Sequence, residues 1–127
     1  MPLINEIAPG LVLHIDPVTM AAQGGTTDLP DFLKVKKAHF FVCLSVDGNQ
    51  GRWMPCYTKD GKGRHPIAEN SRTGHPKWAK GNCYFHPAQV WSASHAAVVN
   101  AAQAAHDQSQ PGQRNMLALG NVDNLPG

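Results

Sequence analysis

No apolar run in this sequence approaches the roughly 18 residues that a membrane-spanning helix needs. The opening MPLINEIAPG also lacks the basic-then-apolar pattern of a secretory signal, so a cytoplasmic protein is expected. Cysteine is scarce: Cys43, Cys56 and Cys83 form an odd set with no CxxC pair, which argues for reduced thiols and against a disulfide framework. Cys43 stands in an apolar run and reads as a core residue. Cys56, near basic residues, is the thiol whose thiolate the sequence most favours, although no nucleophile signature surrounds it. Phosphate loops are missing too, since GKG at 61–63 is not GxxxxGK[ST] and no GxGxxG follows a strand.

Metal-ligand spacing is equally thin. Cys56, His65, His75, Cys83 and His86 fall close together, but only Cys83 and His86 make a tight pair, and no second pair answers it. His65, His75 and His86 each precede a proline, a pattern that extended turns account for. No metal and no cofactor is therefore expected; a metal-stabilised interaction module stays as an alternative.

What is present is turn chemistry and short apolar runs. Twelve Gly and ten Pro in 127 residues favour short strands joined by many turns, in a single domain spanning 1–127. Residues 9–16 (PGLVLHID) read as a strand with Leu11, Leu13 and Ile15 on one face and Val12 and His14 on the other, ended by Asp16-Pro17. Residues 17–37 read as a long connection whose tail could hold a helical turn capped by Asp28. His39–Val46 (HFFVCLSV) is nearly continuously apolar and reads as a doubly buried strand with Phe41 or Phe40 and Val42 in the core. It turns at DGNQG and returns over Arg52–Thr58, where Pro55 implies an edge or a bulge. Residues 59–80 read as a long loop without periodicity, which compact domains keep when it is functional or disordered. A strand over 82–90 and a helix from about 95 to 107, capped by Ser92 or Ser94, complete a mainly β fold with a C-terminal helix. MLALGNV near the end reads as a last strand or a short helix.

Charge is unevenly placed. Between residues 34 and 80 ten Lys and Arg face three Asp and Glu, a local +7, while the rest of the chain carries −5. Such asymmetry suggests a polyanion-facing side. Within it Lys36, Arg52, Lys59, Lys62, Arg64 and Lys80 supply cations, and Trp53, Tyr57 and Trp78 supply flat rings, the combination that holds single-stranded nucleic acid. Core burial is the competing reading for each tryptophan.

Pro9-Gly10-Leu11-Val12-Leu13, the run Lys36-Lys37-Ala38-His39-Phe40-Phe41-Val42, and Met54-Pro55-Cys56-Tyr57-Thr58 follow one another in an order that resembles the PemK/MazF family of toxin ribonucleases. The resemblance covers about residues 9–60. It implies a small Src-homology-3-like β-barrel, a homodimer, an acidic antitoxin as partner, and metal-independent cleavage of single-stranded RNA by an arginine and a hydroxyl residue. Thr58 falls at the hydroxyl position. The arginine is missing, and Lys36, Lys37 or His39 stands near its place; a lysine lacks the planar fork that grips a phosphate, whereas a histidine can serve as general base. Thr58, Lys37 and His39 are the candidate catalytic residues. A non-catalytic interaction module of the same architecture is the alternative.

Overall fold

The computed structural model describes residues 3–29, 36–102, 108 and 113–126. The fold is mainly β. Among the described residues nine strands are joined in antiparallel pairs: β1 (Leu11–Ile15), β2 (Thr26–Thr27), β3 (His39–Asp47), β4 (Gln50–Tyr57), β5 (His65–Pro66), β6 (Arg72–Thr73), β7 (Tyr84–Phe85), β8 (Trp91–Ser94) and β9 (Asn115–Leu117). Their order is β2-β8-β4-β3-β1-β9-β6, with β7 attached to β4 and β5 attached to β7. No helix among the described residues is long and apolar enough to cross a membrane.

The centre is the β3–β4 hairpin. Asp47 pairs with Gln50 across a two-residue turn in which Gly48 takes φ +61°, a conformation that favours glycine. Pro55 is not at an edge, because β4 is central. Its first half, Gln50–Trp53, pairs with β8, and Cys56–Tyr57 pairs with β7. Pro55 sits where the strand has left one neighbour and not yet met the next, so its missing N–H breaks neither ladder. The irregularity falls instead in β3, between Cys43 and Ser45.

The alternation of β1 separates two cores. Leu11, Leu13 and Ile15 join Phe41, Cys43, Trp53, Trp91 and Ala93 under α3 (His95–Ala102). Val12 joins Val42, Met54 and Cys56 on the opposite face, beneath Ile67, Trp78, Cys83 and Phe85. Small residues let α3 lie close to the sheet: Ala97, Val98, Ala101 and Ala102 are all buried. Ser94 is the residue that caps it, its Oγ accepting from the Ala97 N–H at 3.1 Å. The expected continuation to residue 107 lies outside the described residues, as does the helical turn expected after Asp28.

Four expectations are corrected. The strands form an open sheet: its path ends at β2 and β6, and among the described residues no pairing joins them into a barrel. Both faces are instead covered, one by helices and the other by residues 65–85, so closure is not needed to bury the apolar strands. Asp16-Pro17 ends β1 but also starts a helix, α1 (Pro17–Ala22). Asp16 accepts from the Val18 and Thr19 N–H groups, and Pro17 occupies the first turn, where its lost donor is harmless. The segment 59–80 is not a bare loop, since it contributes β5, β6 and a helical turn, α2 (Pro76–Ala79). The strand expected over 82–90 shrinks to Tyr84–Phe85, because His86-Pro87 turns the chain; Ala88 N–H donates to His86 Nδ1 at 3.1 Å. MLALGNV supplies both options, part of β9 and a 3₁₀ turn at Leu119–Asn121.

Gly74 locks the covering segment to β9. It takes φ +126°, and a Cβ there would lie 2.2 Å from Asn115 Oδ1 and 2.7 Å from Asn115 Cα. Asn115 is buried and its Oδ1 accepts the His75 N–H at 2.7 Å, so it has little room to yield. Gly74→Ala is expected to lower stability by about 2 kcal/mol through backbone strain and overpacking, read as a lower urea midpoint at unchanged slope.

Candidate functional site

The two cationic stretches meet at one end of the sheet. β3 begins where β4 ends, and extending the Phe41–Pro55 register by two residues sets His39 opposite Tyr57. Their rings are in edge contact, with centroids 5.3 Å apart. Lys36 and Lys37 are exposed just before His39, and Thr58 and Lys59 are exposed just after Tyr57. Arg64 folds back over this end: its guanidinium lies 3.7 Å from the centroid of the Tyr57 ring, a cation–π contact, and donates to the Lys59 carbonyl at 2.8 Å. The Tyr57 hydroxyl hydrogen-bonds Gln89, and burial pushes its pKa up to about 12 despite Arg64, so it stays a neutral donor.

His39 is half-buried, and its Nδ1 lies 2.7 Å from the Lys37 carbonyl. A carbonyl only accepts, so Nδ1 carries the proton, and in the neutral ring Nε2 keeps its lone pair. That is the tautomer a general base needs. Thr58 lines a small cavity of about 30 Å³ with Phe40, Lys77, Arg72, Asn82 and Cys83. This volume holds a water or two; a nucleotide would have to lie across its mouth.

Not every residue chosen from the sequence is here. Arg52 is half-buried at the far end of β4, paired with Ser45 and Ser92, roughly 20 Å along the strand from Thr58 at about 3.4 Å per residue. Trp78 is buried, with 1% of its surface exposed, and its indole N–H donates to the Met116 carbonyl at 3.0 Å; it offers no open face for a base. Lys62 is exposed in the turn before Arg64, and Lys80 is exposed at the end of α2. Sequence reasoning passed over Lys77 and Asn82, whose only signal was their place near other polar residues in an irregular stretch.

The metal candidates do not converge: among the described residues no three of His, Cys, Asp and Glu could hold an ion together. The prolines explain two of the histidines. His75 Nδ1 accepts the Lys77 N–H and His86 Nδ1 accepts the Ala88 N–H, both at 3.1 Å, so each caps the turn its proline opens. His65 packs its ring on Phe85. Of these, Cys56 and Cys83 come together, lining the same small cavity as Arg72. The neighbouring Cys83 thiol and burial raise Cys56 well above the ordinary range, whereas the Cys56 thiol and Arg72 lower Cys83.

No family model matches the chain, and neither the curated proteins nor the solved structures give a significant match.

Proposed function

We propose that this chain binds single-stranded RNA at the end of the sheet where β3 begins and β4 ends, as a PemK/MazF-like protein. The observation that carries the reading is the convergence of Lys36, Lys37 and His39 with Thr58, Lys59 and Arg64, two basic stretches far apart in sequence, around one corner of the fold. Exposed cations there suit phosphates, and the Arg64 guanidinium plane, stacked on Tyr57, is a platform on which a base can lie. The same reading carries an acidic antitoxin that would cover this corner, and a homodimer.

The His39 tautomer favours cleavage over binding alone. His39 Nε2 takes the proton of a ribose 2′-hydroxyl, the freed oxygen attacks the adjacent phosphorus, and the 5′-oxygen of the next nucleotide leaves. Thr58 Oγ donates to a phosphate oxygen while Lys37 and Lys77 offset the charge that develops. Nothing in this scheme calls for a metal.

Two measurements test it. Fluorescence anisotropy with a labelled single strand should show salt-dependent binding. Neutralising Lys59, Lys62 and Arg64 together should reduce the salt slope by about 2, at roughly 0.7 per phosphate contact. In EDTA the parent protein should cut the strand, and Thr58→Ala should lower turnover about a hundredfold without changing stability, since Thr58 is exposed. Binding without cleavage selects the non-catalytic interaction module; binding independent of salt defeats the reading as a whole.

A further inference from the structure

A second feature lies on the inner wall of the small cavity that Thr58 also lines. Arg72 is 5% exposed, and among the described residues its guanidinium bonds to main-chain carbonyls alone: Trp78 at 2.7 Å, Gly81, and Ala68 at 3.5 Å. The nearby Glu69 carboxylate is committed to the Gly81 N–H at 2.6 Å. Among the described residues no carboxylate forms an ion pair with Arg72, and this buried cation shares a cavity with two thiols. Cys56 and Cys83 occupy diagonal positions on one face of the β4–β7 pair, since Cys56 is opposite Phe85 and Cys83 lies two residues before it.

We propose that Cys83 and Cys56 are a peroxide-reactive dithiol, in which Cys83 is oxidised first, with Arg72 as its positioning cation, and Cys56 resolves it to a disulfide. The roles follow from access and charge: Cys83 lines both the small cavity and the neighbouring cleft, each shared with Arg72, whereas Cys56 lines only the cavity, and Arg72 favours the thiolate of Cys83. The oxidant is a small hydroperoxide. Cys83 lines the cavity of about 30 Å³ and, on its other side, a shallow cleft of about 270 Å³ against Glu69, Gly81 and Tyr84. Hydrogen peroxide, with two heavy atoms, fits the smaller space.

The Cys83 thiolate attacks one peroxide oxygen, the S–O bond forms as the O–O bond breaks, and the departing hydroxide is protonated to water. The sulfur loses two electrons and the peroxide gains them. The Cys56 sulfur then displaces the hydroxyl from Cys83, losing its own proton, and a second water leaves as the S–S bond forms. Diagonal positions are typically about 7–8 Å apart at Cα, slightly beyond the usual disulfide range. Closure therefore draws the two-residue β7 toward β4, and the bond should be easily reduced.

The test is alkylation and mass spectrometry on the whole reduced chain. Iodoacetamide at about pH 6, well below the ordinary thiol pKa of about 8.5, should label Cys83 and spare Cys43, whose thiol burial pushes up to about 11. Hydrogen peroxide should remove two hydrogens and link the peptides carrying Cys56 and Cys83, about tenfold faster than it oxidises glutathione. Cys56→Ser should stop at a Cys83 sulfenic acid that dimedone traps. Arg72→Lys, which keeps the charge, should keep the low-pH labelling. Labelling of Cys83 only above about pH 8, oxidation no faster than glutathione, or equal oxidation of Cys43 would overturn the proposal.

Discussion

Trp78→Ala should lower stability by about 3–5 kcal/mol, a large share of the roughly 5–15 kcal/mol that holds a domain of this size together. The indole is 1% exposed and packs its ring 5.5 Å from that of Phe40, between the sheet and the segment that covers it. Truncation leaves a cavity and also strands the Met116 carbonyl, which accepts the indole N–H at 3.0 Å. Trp78→Phe should lose only that hydrogen bond and part of the volume, about 1–2 kcal/mol. Urea midpoints distinguish this from the surface role that the sequence also allowed. A base-stacking Trp78 would weaken RNA binding when removed and leave the midpoint where it was.

Trp78 also shows where sequence reading reaches its limit. An aromatic residue among lysines looks the same whether it stacks on a base or seals a core, because the difference lies in what folds over it. The hairpin was legible because Asp-Gly and unbroken apolar runs are local signals, and β1 because Leu11, Leu13 and Ile15 alternate. Residues 59–90 were not, since their strands are two residues long and carry no period. Side chains hold that segment: Ile67, Trp78 and Phe85 press on the sheet, and Arg72 ties three carbonyls together. The site divides in the same way. Thr58 and His39 could be chosen from motif order, and the hairpin register then brings them to one corner. That Cys83 and Cys56 come together could not be read, because it depends on a pairing between β4 and β7 that nothing in either stretch announces.

Arg72 should be the most informative residue of that cover. Arg72→Met keeps a long apolar stem and removes the guanidinium, and it is expected to lower stability by about 3 kcal/mol. The Trp78 carbonyl is buried with its bond to Arg72 at 2.7 Å, and an orphaned buried acceptor costs about 1–3 kcal/mol. The Gly81 and Ala68 carbonyls belong to exposed residues and can turn to water, so their loss adds less. In a chain of 127 residues this corresponds to a fall in Tm of about 10 °C. Arg72→Lys should recover about half of the loss, since one ammonium can still reach a buried carbonyl but not all three that the planar guanidinium spans. The two variants also separate stability from reactivity. If Arg72 acts on Cys83 through charge, Met and Lys should differ in low-pH alkylation more than in stability, with Lys close to the parent. If Arg72 only holds the segment in place, alkylation should follow the urea midpoint through both variants, and the charge would have no part in it.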